Sequence, residues 1–236
     1  MPTKPSLAIL VLGATAAAAN AQCTNYWVPG YASGHVGAID ALTVLSDGDL
    51  VTGWADFAFL TAHVSRWNGS TWSEMTPPLT GGTFATIVAA FALLANGDLI
   101  VGGGFTQAGS VAARGIARWD GQNWHSLGIG LGGPPPGFAT TLLLLDNGDL
   151  VVGGSFARAG GLPAPNIARW DGVAWSPMGA GLSGLVSALV QMPNGDVIAG
   201  GSIYPSGAVP GGGGASWNRK GGASGTGRVH GGGGIP

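Results

Sequence analysis

Charge is scarce in this chain of 236 residues. Only 8% are Asp, Glu, Lys or Arg, the net charge is -2 and the sequence pI is about 6.0. So weak a charge offers no basic field to a phosphate backbone, which argues against nucleic acid as a partner. Glu74 is the only glutamate, so glycoside hydrolysis by paired glutamates is excluded and an aspartate pair would be needed. Cys23 is the only cysteine, so no internal disulfide can staple the fold and packing must hold it. His35, His63, His125 and His230 fall at neither His-x-x-x-His nor Glu-x-x-His spacing, and no metal or other cofactor is expected.

Glycine is abundant instead, with 46 Gly beside 15 Pro, a content bordering on low complexity. The 45% hydrophobic content and nine Trp point the other way, because a disordered chain lacks the apolar side chains that offset ordering entropy. Many short strands between Gly-rich turns satisfy both facts. At the N-terminus, Lys4, the apolar run 7–19 and Ala19-Asn20-Ala21 read as an export leader over residues 1–21, cleaved before Gln22. Gln22 stands where a lipoprotein signal carries a small residue, so Cys23 is read as a lone thiol. The run is too short to span a bilayer, and no later segment approaches ~20 apolar residues. A secreted or extracytoplasmic chain without a transmembrane segment is expected.

One unit recurs three times: Val64-Ser65-Arg66-Trp67-Asn68-Gly69-Ser70-Thr71-Trp72, Ile116-Ala117-Arg118-Trp119-Asp120-Gly121-Gln122-Asn123-Trp124 and Ile167-Ala168-Arg169-Trp170-Asp171-Gly172-Val173-Ala174-Trp175. Asn-Gly or Asp-Gly between β-prone runs predicts a hairpin, with a type I′ turn and a Trp on either arm. A second landmark has the same period. Gly48-Asp49, Gly97-Asp98, Gly148-Asp149 and Gly195-Asp196 lie 49, 51 and 47 residues apart, and the Arg-Trp pairs lie 52 and 51 apart.

Four strands fit each repeat: in the second, A over 88–94, B over 98–101, C over 115–119 and D over 123–127. A four-stranded antiparallel unit repeating at ~50 residues predicts an all-β fold, a β-propeller of about four blades with the last degenerate. Ala41, Ala90, Thr141 and Ala188 are small where blades converge, and Leu42, Phe91, Leu142 and Leu189 are large where sheets pack. The Trp pairs fall on the outer strands, where the wedge between blades widens.

Leu99-Ile100-Val101-Gly102-Gly103, Leu150-Val151-Val152-Gly153-Gly154 and Val197-Ile198-Ala199-Gly200-Gly201, each followed by an aromatic phrase, resemble the kelch motif, with Trp119 and Trp170 in place of its usual Tyr. The longer phrase Gly-Gly-x-Phe-x-x-Ala-Gly is similar to repeats of secreted bacterial propellers and of a fungal cortical cell-surface protein. This resemblance covers roughly 36–204 and implies a fold rather than an activity. The first repeat departs from it, with Thr52-Gly53-Trp54 in place of the double glycine.

The resulting boundaries are the leader at 1–21, an N-terminal strand at 25–29, blades at about 36–79, 86–131 and 138–182, a partial blade at 185–204, and a degenerate Gly-rich tail at 211–236. Trp27 reads as a strand D that completes the last blade, which allows a closed four-bladed ring. The phase fails abruptly after Trp217-Asn218, as in a damaged or truncated propeller.

Residues present in every repeat suit the fold better than chemistry, because a site is normally single. Arg66, Arg118 and Arg169 are expected to stack on an indole or to pair with a carboxylate of the next blade, rather than to collect an anion. The aspartates after the turn glycines are expected to satisfy local backbone donors, since none of these turns has the alternation of a calcium loop. Trp67, Trp72, Trp119, Trp124, Trp170 and Trp175 are structural in the same sense. Catalytic residues are not identifiable. The irregular first repeat, with Trp54, Asp56 and His63, is the candidate ligand site. Two functions follow: a non-enzymatic scaffold binding protein or glycan through its blade loops, or an exported enzyme, hydrolase or oxidase-like, with Asp40 or Asp56 as acids on the propeller axis.

Overall fold

The computed structural model describes residues 38–82, 86–133, 136–204, 213–217 and 228–231. The leader, Cys23 and the strand expected at 25–29 lie outside them. No helix occurs among the described residues. Four blades follow one another, each a consecutive antiparallel A–B–C–D meander, and short strands extend the sheet of the first. Blade 1 is Ile39–Val44, Leu50–Asp56, Thr61–Trp67 and Trp72–Glu74. Blade 2 is Ile87–Leu93, Leu99–Gly104, Ile116–Trp119 and Trp124–Ser126. Blade 3 is Phe138–Leu144, Leu150–Ser155, Ile167–Trp170 and Trp175–Pro177. Blade 4 is Ser183–Gln191, Val197–Tyr204, Gly213–Trp217 and Arg228–Gly231. Each A strand lies against the next, and the array is propeller-like without closing into a ring.

Blade 4 takes strands C and D from the Gly-rich segment 211–236. Val197 pairs with Trp217, in the register of Leu99 with Trp119, and Ala215 pairs with Val229. Ladder hydrogen bonds need only backbone groups, so glycine does not forbid a strand. The side-chain pattern fails after Trp217 while the pairing continues.

Neither the A–B corners nor the Trp hairpins, where type I′ was expected, hold two left-handed residues. At the A–B corner Gly97 N donates to Leu94 O and Leu94 N to Asp98 O, both at 2.9 Å. Only Gly97 has positive φ, at 90°, which describes a type I turn closed by a glycine bulge. Asn96 stays right-handed because its Oδ1 accepts from Asp98 N at 3.1 Å. In the Trp hairpins, Asp120 Oδ1 accepts from Gln122 N at 2.8 Å and Asn123 N at 2.7 Å. The side chain stabilises a four-residue loop in place of a two-residue one.

Sequence periodicity does not reveal the short ladders between blades. Leu79–Thr80, leaving blade 1, pairs with Gln107–Ala108 in the B–C loop of blade 2, and Leu131–Gly132 pairs likewise with Arg158–Ala159. Each outgoing connector is thereby stitched to the next blade.

Three buried clusters fill the three spaces between successive blades. The trailing face of each sheet packs on the leading face of the next, and the glycines of strand B allow close approach of two kinds. A Cβ on Gly53 would lie 2.4 Å from Val88 Cγ1, and one on Gly153 would lie 2.6 Å from Val186 Cγ1. The first glycine is therefore the seat of the following blade's A strand. The second faces its own A strand: a Cβ on Gly103 or Gly154 would lie 2.0 Å from the carbonyl oxygen of Ile87 or Phe138. Each second glycine sits beside the bulge in its A strand.

The hairpin tryptophans differ in burial. Trp119, Trp124 and Trp175 are buried, whereas Trp67, Trp72 and Trp170 are half-buried. Trp124 Nε1 donates to Pro77 O at 3.0 Å and Trp175 Nε1 to Leu127 O at 2.8 Å. Each thus clamps the connector arriving from the previous blade.

Candidate functional site

The repeated charged residues take up each other. Arg66 Nε donates to Asp49 at 2.7 Å and its Nη2 to Asp47 at 2.6 Å, Arg118 Nη1 to Asp98 at 2.9 Å, and Arg169 lies 3.3 Å from Asp149. The partners belong to the same blade, not the next, because strand C runs directly beside the start of strand B. The hydrogen bond to Asp49 raises the Arg66 pKa. These aspartates also bind side chains in preference to local backbone donors: Asp98 Oδ2 accepts from Asn96 Nδ2 at 2.9 Å. Asp120 is held well below the usual carboxylate range, first by its hydrogen bond to His125, then by the N–H groups of Asn123 and Gln122. Asp171 is lowered by the N–H groups of Ala174 and Val173. These groups organise turns.

Blade 1 breaks the pattern at the second glycine, where Trp54 faces Ile39 across the ladder. The same face changes character at neighbouring positions. Thr52 stands where blades 2 and 3 have Val101 and Val152, and Ser65 where they have Ala117 and Ala168. Along strand C, Thr61, His63 and Ser65 share one side by the two-residue period. Trp54 lies opposite His63 and Glu74 opposite Ser65.

These side chains form one continuous chain. Trp54 stacks on His63 with centroids 4.4 Å apart and planes at 14°. Trp54 Nε1 donates to Ser65 Oγ at 2.9 Å, and Ser65 Oγ donates to Glu74 Oε2 at 3.3 Å. Glu74 Oε1 lies 2.5 Å from His63 Nδ1, and His63 Nε2 lies 2.8 Å from Thr61 Oγ1. A carboxylate only accepts, so His63 Nδ1 donates to Glu74 Oε1. The side chains of His63 and Glu74 are 20% and 45% exposed.

Beside this chain the B–C corner turns in four residues. Asp56 Oδ1 accepts from Ala58 N at 2.9 Å and Phe59 N at 3.3 Å, and Thr86 Oγ1 donates to Leu60 O at 2.7 Å. Leu60 holds a left-handed φ of 55°. The tip presents Phe57, Phe59 and Leu60 at 58%, 77% and 61% exposure.

Of the sequence candidates, Trp54 and His63 are brought together, while Asp56 caps the turn. Asp40 is exposed on strand A. Sequence reasoning missed Thr61, Ser65 and Glu74. The alternation Thr61-x-His63-x-Ser65 was a legible signal, but the partner opposite it was not. A separate cavity of about 200 Å³ lies between blades 2 and 3, lined by Ile100, Arg118, Leu127, Leu150 and Trp170, below the usual ligand-pocket range.

The described residues define an all-β, propeller-like protein of four-stranded sheets with one irregular blade. No family model and no curated protein matches the chain. Among solved structures, a protein of unknown function from Dyadobacter fermentans is 17% identical, with 80% of this chain and 62% of that one covered and a TM-score of 0.46. The extracellular domain of a putative one component system from B. thetaiotaomicron is 10% identical, with 68% and 20% covered and a TM-score of 0.46. The GH93 alpha-L-arabinofuranosidase of Fusarium graminearum is 15% identical, with 81% and 65% covered and a TM-score of 0.49. The chain spans less than two thirds of each of these proteins. The activities those names carry belong to those proteins.

Proposed function

We propose that this is an exported, non-enzymatic propeller with kelch-like repeats that binds a partner through the B–C corner of blade 1. One contrast carries the reading. The B–C loops of blades 2 and 3 are taken up in ladders with the preceding connector, whereas the corner of blade 1 displays two phenylalanines and a leucine on a hydrogen-bonded turn. Ordered apolar side chains in water form a surface whose burial by a partner is favourable, and rigid aromatics lose little entropy on binding. A protein suits the apolar tip best, with His63 and Glu74 as its polar rim. Export rests on the leader at 1–21.

A protein-capture screen alongside a glycan array tests this. The double variant Phe57→Ser/Phe59→Ser is expected to weaken binding at least ~30-fold, as loss of a hot-spot pair does, with an unchanged melting transition. Unaltered capture by that variant places the surface elsewhere.

A hydrolytic reading has one observation in its favour: Thr61, His63 and Glu74 stand in the order of nucleophile, base and orienting carboxylate. In it, Thr61 Oγ1 attacks an ester carbonyl, its proton passes to His63 Nε2 and then to the departing alcohol, and water releases the acyl group. A fluorophosphonate probe should then label Thr61 in the native chain and not in His63→Ala. An unlabelled Thr61 removes this reading and leaves binding untouched.

A further inference from the structure

We propose that two copies of this chain join head to tail, with the leading face of blade 1 in one copy packed on the trailing face of blade 4 in the other. The chain already makes this blade interface three times. Its trailing half is a glycine seat flanked by an aliphatic residue of strand B: Val51 and Gly53, Ile100 and Gly102, Val151 and Gly153. Its leading half is a pair of strand-A side chains, Val88 and Phe91, Ala139 and Leu142, Val186 and Leu189. The register places Gly53, Gly102, Gly153 and Gly200 opposite Ala41, Ala90, Thr141 and Ala188. Gly200 is therefore the fourth seat, and Ile39 with Leu42 is the leading pair of the first blade.

Among the described residues neither half meets another blade. Among the described residues nothing lies within 4 Å of where a Cβ on Gly200 would be, although the equivalent positions on Gly53 and Gly153 lie 2.4 and 2.6 Å from the next blade. Ile198 is half-buried, where its counterparts Val51, Ile100 and Val151 are at most 2% exposed. Val190 and Met192 complete this trailing patch at 48% and 43% exposure, while Ala92, the counterpart of Val190, is 9% exposed. At the other end Ile39 and Leu42 are 48% and 61% exposed. Four of the large exposed aliphatic side chains thus belong to the two surplus halves of one contact.

Such a contact is heterologous, because it joins two different patches. Two copies facing each other make it twice and close, giving eight blades, within the range that propellers adopt. The proposal leaves the B–C corner of blade 1 free and goes beyond the binding reading.

The test is the solution mass of the exported chain, by light scattering and sedimentation over a range of concentrations. Twice the single-chain mass is expected. Ile39→Arg and Gly200→Leu should each run as single chains with unchanged melting, their pairing weakened at least ~10-fold. Mixed together, they should re-form a one-to-one complex through the one undamaged contact, whereas Phe59→Ser should leave the mass unaltered. A wild-type chain that stays single, a mass above two copies, or variants that fail to complement would each overturn the proposal. So would an Ile39→Arg variant that melts early at unchanged mass, which would mean that this face is covered by its own chain.

Discussion

Trp175→Ala is expected to lower the unfolding free energy by ~3–5 kcal/mol, the cost of deleting a large buried aromatic. For a chain of this size that corresponds to a fall in melting temperature of roughly 6–20 °C. The indole is 6% exposed and joins three parts of the fold. It pairs with Trp170 at 5.3 Å across its own hairpin. It covers Gly160, where a Cβ would come within 2.7 Å of its Cδ1. Its Nε1 holds the carbonyl of Leu127, in the connector from blade 2, at 2.8 Å. Alanine would leave a cavity and take from that carbonyl one of its two donors, leaving Gly130 N at 3.1 Å. Trp175→Phe keeps most of the apolar contact and loses the hydrogen bond, so a smaller loss of ~1–2 kcal/mol is expected. Trp170→Ala should fall below Trp175→Ala, because Trp170 is only half-buried. Val173→Ala, at a side chain 85% exposed in the hairpin loop, serves as the control. Thermal and denaturant unfolding measure the series. A Trp175→Ala loss under 1 kcal/mol would mean that the indole is not the clamp between blades.

The strand pattern of each blade was legible because its signals are local: short β-prone runs, Asn-Gly-Asp corners and a tryptophan on either arm of a hairpin. The four A–B pairings fall where those signals place them. Contacts set by tertiary position were not legible. Nothing in Phe105-Thr106-Gln107-Ala108-Gly109 indicates that Gln107 and Ala108 will pair with Leu79–Thr80 of the preceding connector. The arginines illustrate a nearer failure. Stacking and pairing with the next blade were both chemically reasonable, yet the aspartate at the head of the adjacent strand is simply closer. At the candidate site, Trp54 and His63 stood out as irregularities. Glu74 became their partner only once the fourth strand placed it opposite Ser65. In the tail, composition speaks only of side chains, while Gly213–Trp217 and Arg228–Gly231 pair through the backbone.

Single alanines at the double glycine should separate its two roles. In Gly154→Ala the new methyl would lie 2.0 Å from the carbonyl oxygen of Phe138 and 3.0 Å from Ala139 Cα. Both are backbone atoms, so no rotamer change can relieve the overlap, and strand A must separate from strand B at its bulge. A loss at or above the ~1–3 kcal/mol typical of overpacking is expected, concentrated within blade 3. Gly153→Ala meets Val186 Cγ1 at 2.6 Å and Thr141 Cγ2 at 2.8 Å. These are side-chain atoms on neighbouring strands, and the Val186 contact belongs to the next blade. The strain therefore falls largely on the interface between blades 3 and 4, where blade 4 can shift outward and absorb part of it. Gly153→Ala should accordingly cost less than Gly154→Ala and should raise amide exchange in Ser183–Gln191 more than in Phe138–Leu144. Gly154→Ala should do the reverse. Gly132→Ala is the control, with only Arg158 Cβ near at 3.7 Å, an ordinary contact. Hydrogen exchange resolved by strand decides the matter: identical exchange patterns in the two variants would show that the paired glycines act as one flexible joint and not as two separate points of close approach.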